Sequence, residues 1–303
     1  MKKILVPIDF SDVSKYAAEF ALDLAERSGA EIVFLHSMHF NYFNDFPHAP
    51  GLNLQQMITD VQDAVENNMK NFVEEFKTSV NIDTEISGLH LQVAVKDIVN
   101  EQNIGLVVIG TKGSSGWTEF LVGSNTERIV RWANCPVISI PNKSNFDSIK
   151  RILVAIDLAE IQDEFMIKLS KLQKLFSAHM EFLWVRTPHN IENSERVTEE
   201  FNEVLKKFGF RDSSFTIAKS VFPADGILQQ VSDLKADMVA MATHSRRGIS
   251  HWLSGSLTED TVNHVNVPVW TFKLDKDAKS IELSSFKDVY GKAEYQKIEL
   301  LAV

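Results

Sequence analysis

The chain has 303 residues, 44% of them hydrophobic and 24% charged, with a formal net charge of -10. That length is enough for two domains of about 150 residues. The acidic balance argues against non-specific binding to nucleic acid or an anionic membrane, and no apolar run reaches the 18 or more residues of a membrane helix.

The first element read along the chain is the continuous apolar strand Ile4-Leu5-Val6. Its opening, MKKILVPID, turns acidic too soon for a signal peptide, and the reading is cytoplasmic. Ala17, Phe20, Ala21 and Leu24 follow at the i, i+3, i+4, i+7 spacing of an amphipathic helix. Ile32–Leu35 is the next strand, and residues 55–78 predict a long helix. Short strands are expected near 84–90 and 105–110 around a helix at 94–103, and a helix from Gly123 and the strand Val137–Ile140 close the unit. Strands apolar on both faces, each followed by a helix, imply a parallel sheet with right-handed crossovers.

The same order then repeats. KKILVPID at 2–9 corresponds to KRILVAID at 150–157, and AEIVFLHS at 30–37 to AHMEFLWV at 178–185. Further on LVVIGT (106–111) corresponds to MVAMAT (238–243), LVGSNTERIV (121–130) to LSGSLTEDTV (253–262), and NCPVISI (134–140) to NVPVWTF (266–272). The repeat is far longer than a solenoid period, so the reading is domain duplication, with units at 1–142 and 149–273 and an extension at 274–303. A short polar linker is expected at Asn142–Ser148. The end of the extension alternates well enough to add a strand, and a frayed or partner-bound tail is the other reading. The first unit carries an insertion at 39–56, HFNYFNDFPHAPGLNLQQ, readable as a lid over a pocket or as a packed loop.

A Gly-x2-Gly-x9-Gly-Ser frame stands intact in the first unit as Gly110, Gly113, Gly123 and Ser124. A strand, a glycine turn and a helix start suit an anion site, since missing Cβ atoms let the backbone approach a phosphate and free helix amides favour negative charge; the other reading is a purely structural turn. Lys112 supplies a cation, and Ser124 and Thr126 supply hydroxyls. Asp9, after Pro7 at the carboxyl end of the first strand, is an acceptor for a ribose hydroxyl or adenine amino group, or else a turn residue before a helix started by Ser11 or Ser14. In the second unit Asp157 and Gly255-Ser256 persist, but Ala242 and Ser245 replace the two turn glycines, with His244, Arg246 and Arg247 nearby. That site is either a dead scaffold or holds a differently posed anion.

Other signals are weaker. The lone Cys135 leads into an apolar strand and reads as an inert buried thiol, with a redox role as the alternative. The acidic stretch Glu195–Glu203, spaced with Val197, Phe201 and Val204, reads as a solvated helix face. No HExxH, paired CxxC, EF-hand, Walker, GxGxxG, GxSxG or kinase pattern occurs, so neither a metal site nor a catalytic residue is expected.

The PIDFS start, the glycine frame and the closing CPVISI strand resemble the universal stress protein family, in its tandem form with two domains per chain and in its ATP-binding branch. The resemblance covers 1–141 and 149–273. It implies an α/β fold of two tandem open-sheet domains, each a mainly five-stranded parallel sheet flanked by helices. Pairing of Val137–Ile140 with Val269–Phe272 would make them a pseudo-dimer within one chain. It further implies a cofactor, ATP or another adenine nucleotide with or without Mg. Asp9 and Ser37 would lie at the adenosine end, with Gly110, Lys112, Gly113, Gly123, Ser124, Asn125 and Thr126 around ribose and phosphates. The expected function is a nucleotide-dependent switch or partner-binding module. A slow ATPase or self-phosphorylating enzyme, with Ser124 or Thr126 as acceptor, and a nucleotide-independent assembly protein are the alternatives. Partners are then the nucleotide and a protein, with further homo-oligomers open.

Overall fold

The computed structural model describes residues 2–38, 54–111, 124–188, 194–243, 265–275, 277–281 and 283, and the chain divides into two compact units, Met1–Phe146 and Asp147–Val303.

In unit 1, β1 (Lys3–Pro7), β2 (Glu31–Ser37), β3 (Ile82–Ser87), β4 (Leu106–Gly110) and β5 (Val137–Ile140) form a parallel sheet in the order β3-β2-β1-β4-β5. The edge strand expected at 84–90 begins earlier because Ile82 pairs in register with Ile32 of β2. Helices α1 (Asp12–Ser28), α2 (Leu54–Glu74), α3 (Leu91–Glu101) and α4 (Ser124–Trp132) supply the crossovers. Ser11 starts α1 by accepting a hydrogen bond from the Ser14 N–H, and Gly29 stops it in the left-handed conformation, φ 66°. The expected apolar stripe Ala17, Phe20, Ala21 and Leu24 is fully buried. On the rim of α1, Lys15 donates to Glu75, which pushes its ammonium above the usual lysine range.

The segment read as a polar linker contains Phe146, only 4% exposed, packed 6.1 Å from the Phe20 ring with Arg27 4.8 Å above it. Its ring therefore belongs to the core of unit 1.

In unit 2, β6 (Arg151–Ala155), β7 (His179–Arg186), β8 (Ser213–Lys219), β9 (Met238–Thr243) and β10 (Val269–Lys273) form a second parallel sheet in the order β8-β7-β6-β9-β10. Its described helices are α5 (Asp163–Phe176), α6 (Ser194–Lys207) and α7 (Pro223–Asp233). The acidic stretch is indeed the outer face of α6, whose Val197, Phe201, Val204 and Leu205 are buried.

The described residues after β10 stay on unit 2. Gln162 clamps it, its Nε2 donating to the Asp275 carbonyl at 2.6 Å and its Oε1 accepting from the Asp275 N–H at 3.1 Å. Gln162 then pairs antiparallel with Ser280, and the Ile281 N–H donates to the Ile161 carbonyl at 2.6 Å. Leu283 is buried. Gln162→Ala removes both bonds of a side chain only 6% exposed. The expected loss is about 1–3 kcal/mol in urea unfolding, and Gln162→Glu, which sets an acceptor against the Asp275 carbonyl and buries a charge, is expected to cost at least as much. The terminal strand or tail expected at the very end lies outside the described residues.

Candidate functional site

The site in unit 1 is set by topology. From β1 the chain runs outward through β2 and β3, then returns to β4 on the other side of β1. The strand order reverses between β1 and β4, and the crevice at their carboxyl ends is where open α/β sheets bind ligands. Pro7 widens it. The β1–β4 ladder stops at Leu5–Val107, whereas its counterpart β6–β9 continues to Ala155–Met241. Pro7 has no N–H to donate, and the Ile8 N–H already points to β2, onto the Leu35 carbonyl.

Asp9 is exposed just beyond this point. Its Oδ1 accepts from the Ser11 N–H at 3.1 Å and the Ser11 hydroxyl at 2.5 Å, while Ser11 Oγ accepts from the Ser14 N–H. Asp9 thus makes the turn into α1, as one sequence reading had it, and presents a carboxylate at the crevice while doing so. Phe10 between them has φ 63°, uncommon for a side chain of that size. Its ring packs 4.7 Å from His36, whose Nδ1–H donates to the Ile8 carbonyl, and 5.9 Å from Phe72 of α2. Ser37, at the end of β2, donates its hydroxyl to the Leu89 carbonyl at 2.6 Å.

Gly110 ends β4. A Cβ there would lie 2.8 Å from the Val13 carbonyl oxygen and Cγ1, so the first turn of α1 already requires glycine at this point. Thr126, 2% exposed, donates its hydroxyl to the Gly110 carbonyl at 3.1 Å and pins the first turn of α4 to the strand end. Ser124 and Asn125 stand in that same turn. Lys112, Gly113 and Gly123 lie outside the described residues, as do 39–53 of the insertion and, in unit 2, His244, Ser245, Arg246, Arg247, Gly255 and Ser256.

The structure therefore brings Pro7, Asp9, Gly110 and Thr126 to the carboxyl ends of β1 and β4, and sets Ser37 at the end of the adjacent β2. Residues passed over in the sequence are Val13, Phe10 and His36, together with Thr111, 9% exposed with its N–H on the Ile140 carbonyl. Only Thr111 left a trace, since both copies of its segment, LVVIGT and MVAMAT, keep the threonine.

The matching edge of unit 2 is built differently. Asp157 accepts from the Ala159 N–H at 3.0 Å, but the following Leu158 and Ile161 are each 1% exposed, and the Ile161 carbonyl accepts from the Ile281 N–H of the segment held by Gln162. Counted from the paired strands, α5 starts three residues later than α1 does. Cys135, the single cysteine of the sequence, is buried and forms no disulfide. Among the described residues, no group of three or more His, Cys, Asp or Glu is placed to hold a metal ion, and no helix is long and apolar enough to cross a membrane.

The model of the universal stress protein family matches residues 1–141 and 187–273 of this chain. The chain is 30% identical over 141 residues to a universal stress protein of Methanocaldococcus jannaschii, spanning 46% of this chain and 81% of that protein. Among solved structures, a universal stress protein of Archaeoglobus fulgidus aligns over 91% of this chain and 97% of its own, with a TM-score of 0.65 at 18% identity. A putative universal stress protein of Pseudomonas aeruginosa aligns over 90% and 93%, with a TM-score of 0.57 at 17% identity. At these identities the structural likeness shows the fold.

Proposed function

The chain belongs to the universal stress protein family, and from that premise we propose that unit 1 binds ATP or another adenine nucleotide, its occupancy switching conformation or partner choice. One observation carries the proposal. At the strand-order reversal, an exposed carboxylate two residues beyond β1 and a helix start tied to the end of β4 by Thr126 stand at the same carboxyl edge, where the β1–β4 ladder ends short of Pro7. Asp9 and Ser37 would hold the nucleoside. Gly110, Lys112, Gly113, Gly123, Ser124 and Asn125 would surround ribose and phosphates through backbone amides, a hydroxyl and one cation. Mg, where present, would neutralise part of the phosphate charge.

No turnover is needed for this role. Thr126, a candidate phosphoryl acceptor, is buried with its proton on the Gly110 carbonyl, which favours the switch over self-phosphorylation through that hydroxyl. Unit 2 is read as the scaffold, supported by Ala242 in place of glycine and by its buried Leu158 and Ile161. A reduced buried cysteine fits a cytoplasmic protein. A protein partner and further assembly of chains are part of the same proposal.

The test is thermal unfolding with and without Mg-ATP, ADP and AMP. Nucleotide at about 100 times its Kd is expected to stabilise the wild type by roughly 2.7 kcal/mol, and Gly113→Val to abolish the shift. No shift with any nucleotide, in protein confirmed ligand-free, would leave nucleotide-independent assembly as the better account.

A further inference from the structure

Leu89, in the turn between β3 and α3, is fixed through its backbone and left exposed through its side chain. Ser37 at the end of β2 donates its hydroxyl to the Leu89 carbonyl at 2.6 Å. The Leu89 N–H donates to Ser87 Oγ at 3.2 Å, and the Met38 N–H donates to the Ser87 carbonyl at 2.8 Å. Leu89 itself is 49% exposed. The Ser37 proton is committed to this brace.

Val93, the third residue of α3, is 46% exposed and stands off the buried stripe Ala94, Val95, Ile98 and Val99. Single exposed apolar residues are ordinary, but this position has a local rule of its own. The first turn of a helix carries unpaired N–H groups and favours an acidic side chain. In unit 2 the turn before α7 also exposes an apolar residue, Val221, yet α7 follows the rule with Asp225 as its third residue. In unit 1 the first turn of α3 has no acidic residue, and its cap, His90, makes no side-chain capping bond. A β-branched apolar residue at position 93 serves neither the helix start nor the core.

Both residues belong to the carboxyl edge of the sheet. Asp9 and Ser37 each stand two residues beyond Pro7 and Leu35, the last register pair of β1 with β2. Leu89 stands two residues beyond Ser87, the register partner of Ser37. Three neighbouring strand ends thus carry a carboxylate, a hydroxyl and an apolar side chain. Helix α3 packs against β1, β2 and α4, and its first turn starts from the same edge as that of α4.

We infer that Leu89 and Val93 form the apolar platform for the base of the nucleotide in unit 1, and that Ser37 is a positioning residue that holds Leu89 there. The inference rests on the nucleotide reading of unit 1 and supplies what that reading lacks, an apolar surface for a flat ring. Small-molecule sites set a few polar groups against an apolar wall. Asp9 and the start of α4 provide the polar groups, and the pair on the β3–α3 turn provides the wall.

Calorimetric titration of the full chain with Mg-ATP at several temperatures tests this. Leu89→Gln and Val93→Gln are each expected to weaken binding roughly three- to tenfold. Each is also expected to make the heat-capacity change of binding less negative, since that change reports apolar burial. Their unfolding midpoints without nucleotide are expected to hold, because both positions are exposed. Ser37→Ala is expected to weaken binding by a similar factor, and Ser37→Thr, which keeps the hydroxyl, to restore it. In a Leu89→Gln background, Ser37→Ala is expected to add less than about twofold, as two residues acting through one contact should. Unchanged affinity, or an unchanged heat-capacity change, in either glutamine variant overturns the platform. A fully additive loss from Ser37→Ala overturns its positioning role. Should Leu89→Gln lower stability, Val93→Gln decides the platform alone. A wild-type chain that binds no ATP, ADP or AMP overturns the function proposed for unit 1 and this inference with it; wild-type binding to which the variants are indifferent overturns the inference alone.

Discussion

Phe72→Ala is expected to cost about 3–5 kcal/mol of stability and to weaken nucleotide binding in unit 1 beyond what that loss explains. Phe72 is 6% exposed on α2, and its ring lies 5.6 Å from Phe34, 5.1 Å from Phe76 and 5.9 Å from Phe10. The first two contacts are core packing. The third is a wall of the candidate site, because Phe10 sits at φ 63° between Asp9 and Ser11. A left-handed conformation costs a residue with a Cβ roughly 1–2 kcal/mol, and the packing of the Phe10 ring against His36 and Phe72 offsets it. Without Phe72 the turn is freer to relax, and the Asp9 carboxylate moves with it. Phe76→Ala is the control, since Phe76 touches Phe34 and Phe72 but makes no ring contact with Phe10. Urea unfolding and nucleotide titration on both variants separate the effects. Equal losses of affinity per kcal/mol of destabilisation would show that Phe72 acts through stability alone.

Gly110→Ala is expected to destabilise unit 1 by about 1–3 kcal/mol, whereas the register-equivalent change in unit 2, Ala242→Gly, is expected to cost less than about 1 kcal/mol. The reason is space, not backbone conformation: the new Cβ of Gly110→Ala meets the Val13 carbonyl at 2.8 Å. In unit 2 the helix does not begin until Asp163, so the chain before it takes a different path and a Cβ at position 242 is accommodated. Denaturant midpoints of the two single variants settle this. A Gly110→Ala protein as stable as wild type would return the glycine to a purely ligand-facing role. For that reason Gly113→Val, not a change at Gly110, is the better probe of binding, because a loss at Gly110 would mix packing with ligand contact.

Local periodicity and the internal repeat were enough to identify a duplicated α/β unit with parallel sheets, because a strand buried on both faces must be apolar throughout. The stripe of α1 and the buried face of α6 were legible for the same reason. Boundaries were less so. The start of β3 depends on its register with β2, and the aromatic Phe146 in a polar segment gives no local sign that its pocket lies beneath Phe20 and Arg27.

The glycine frame and Asp9 marked the candidate site from spacing alone, since a turn between a strand and a helix needs particular residues at particular steps. What each residue does there depended on neighbours distant in the chain. Gly110 answers to Val13, Thr126 to the Gly110 carbonyl, and Pro7 to the point where the β1–β4 ladder ends. The polar cluster at the amino edge of the unit 2 sheet lay beyond sequence reading for the same physical reason. His179 and Glu181 share a face of one strand, Asp212 and Ser214 stand about 33 residues later, and only parallel pairing of β7 with β8 sets four ordinary polar residues within hydrogen-bonding distance. Composition and periodicity determine which surfaces must be buried; which polar groups then meet is decided by strand order and register, to which no local pattern in the chain responds.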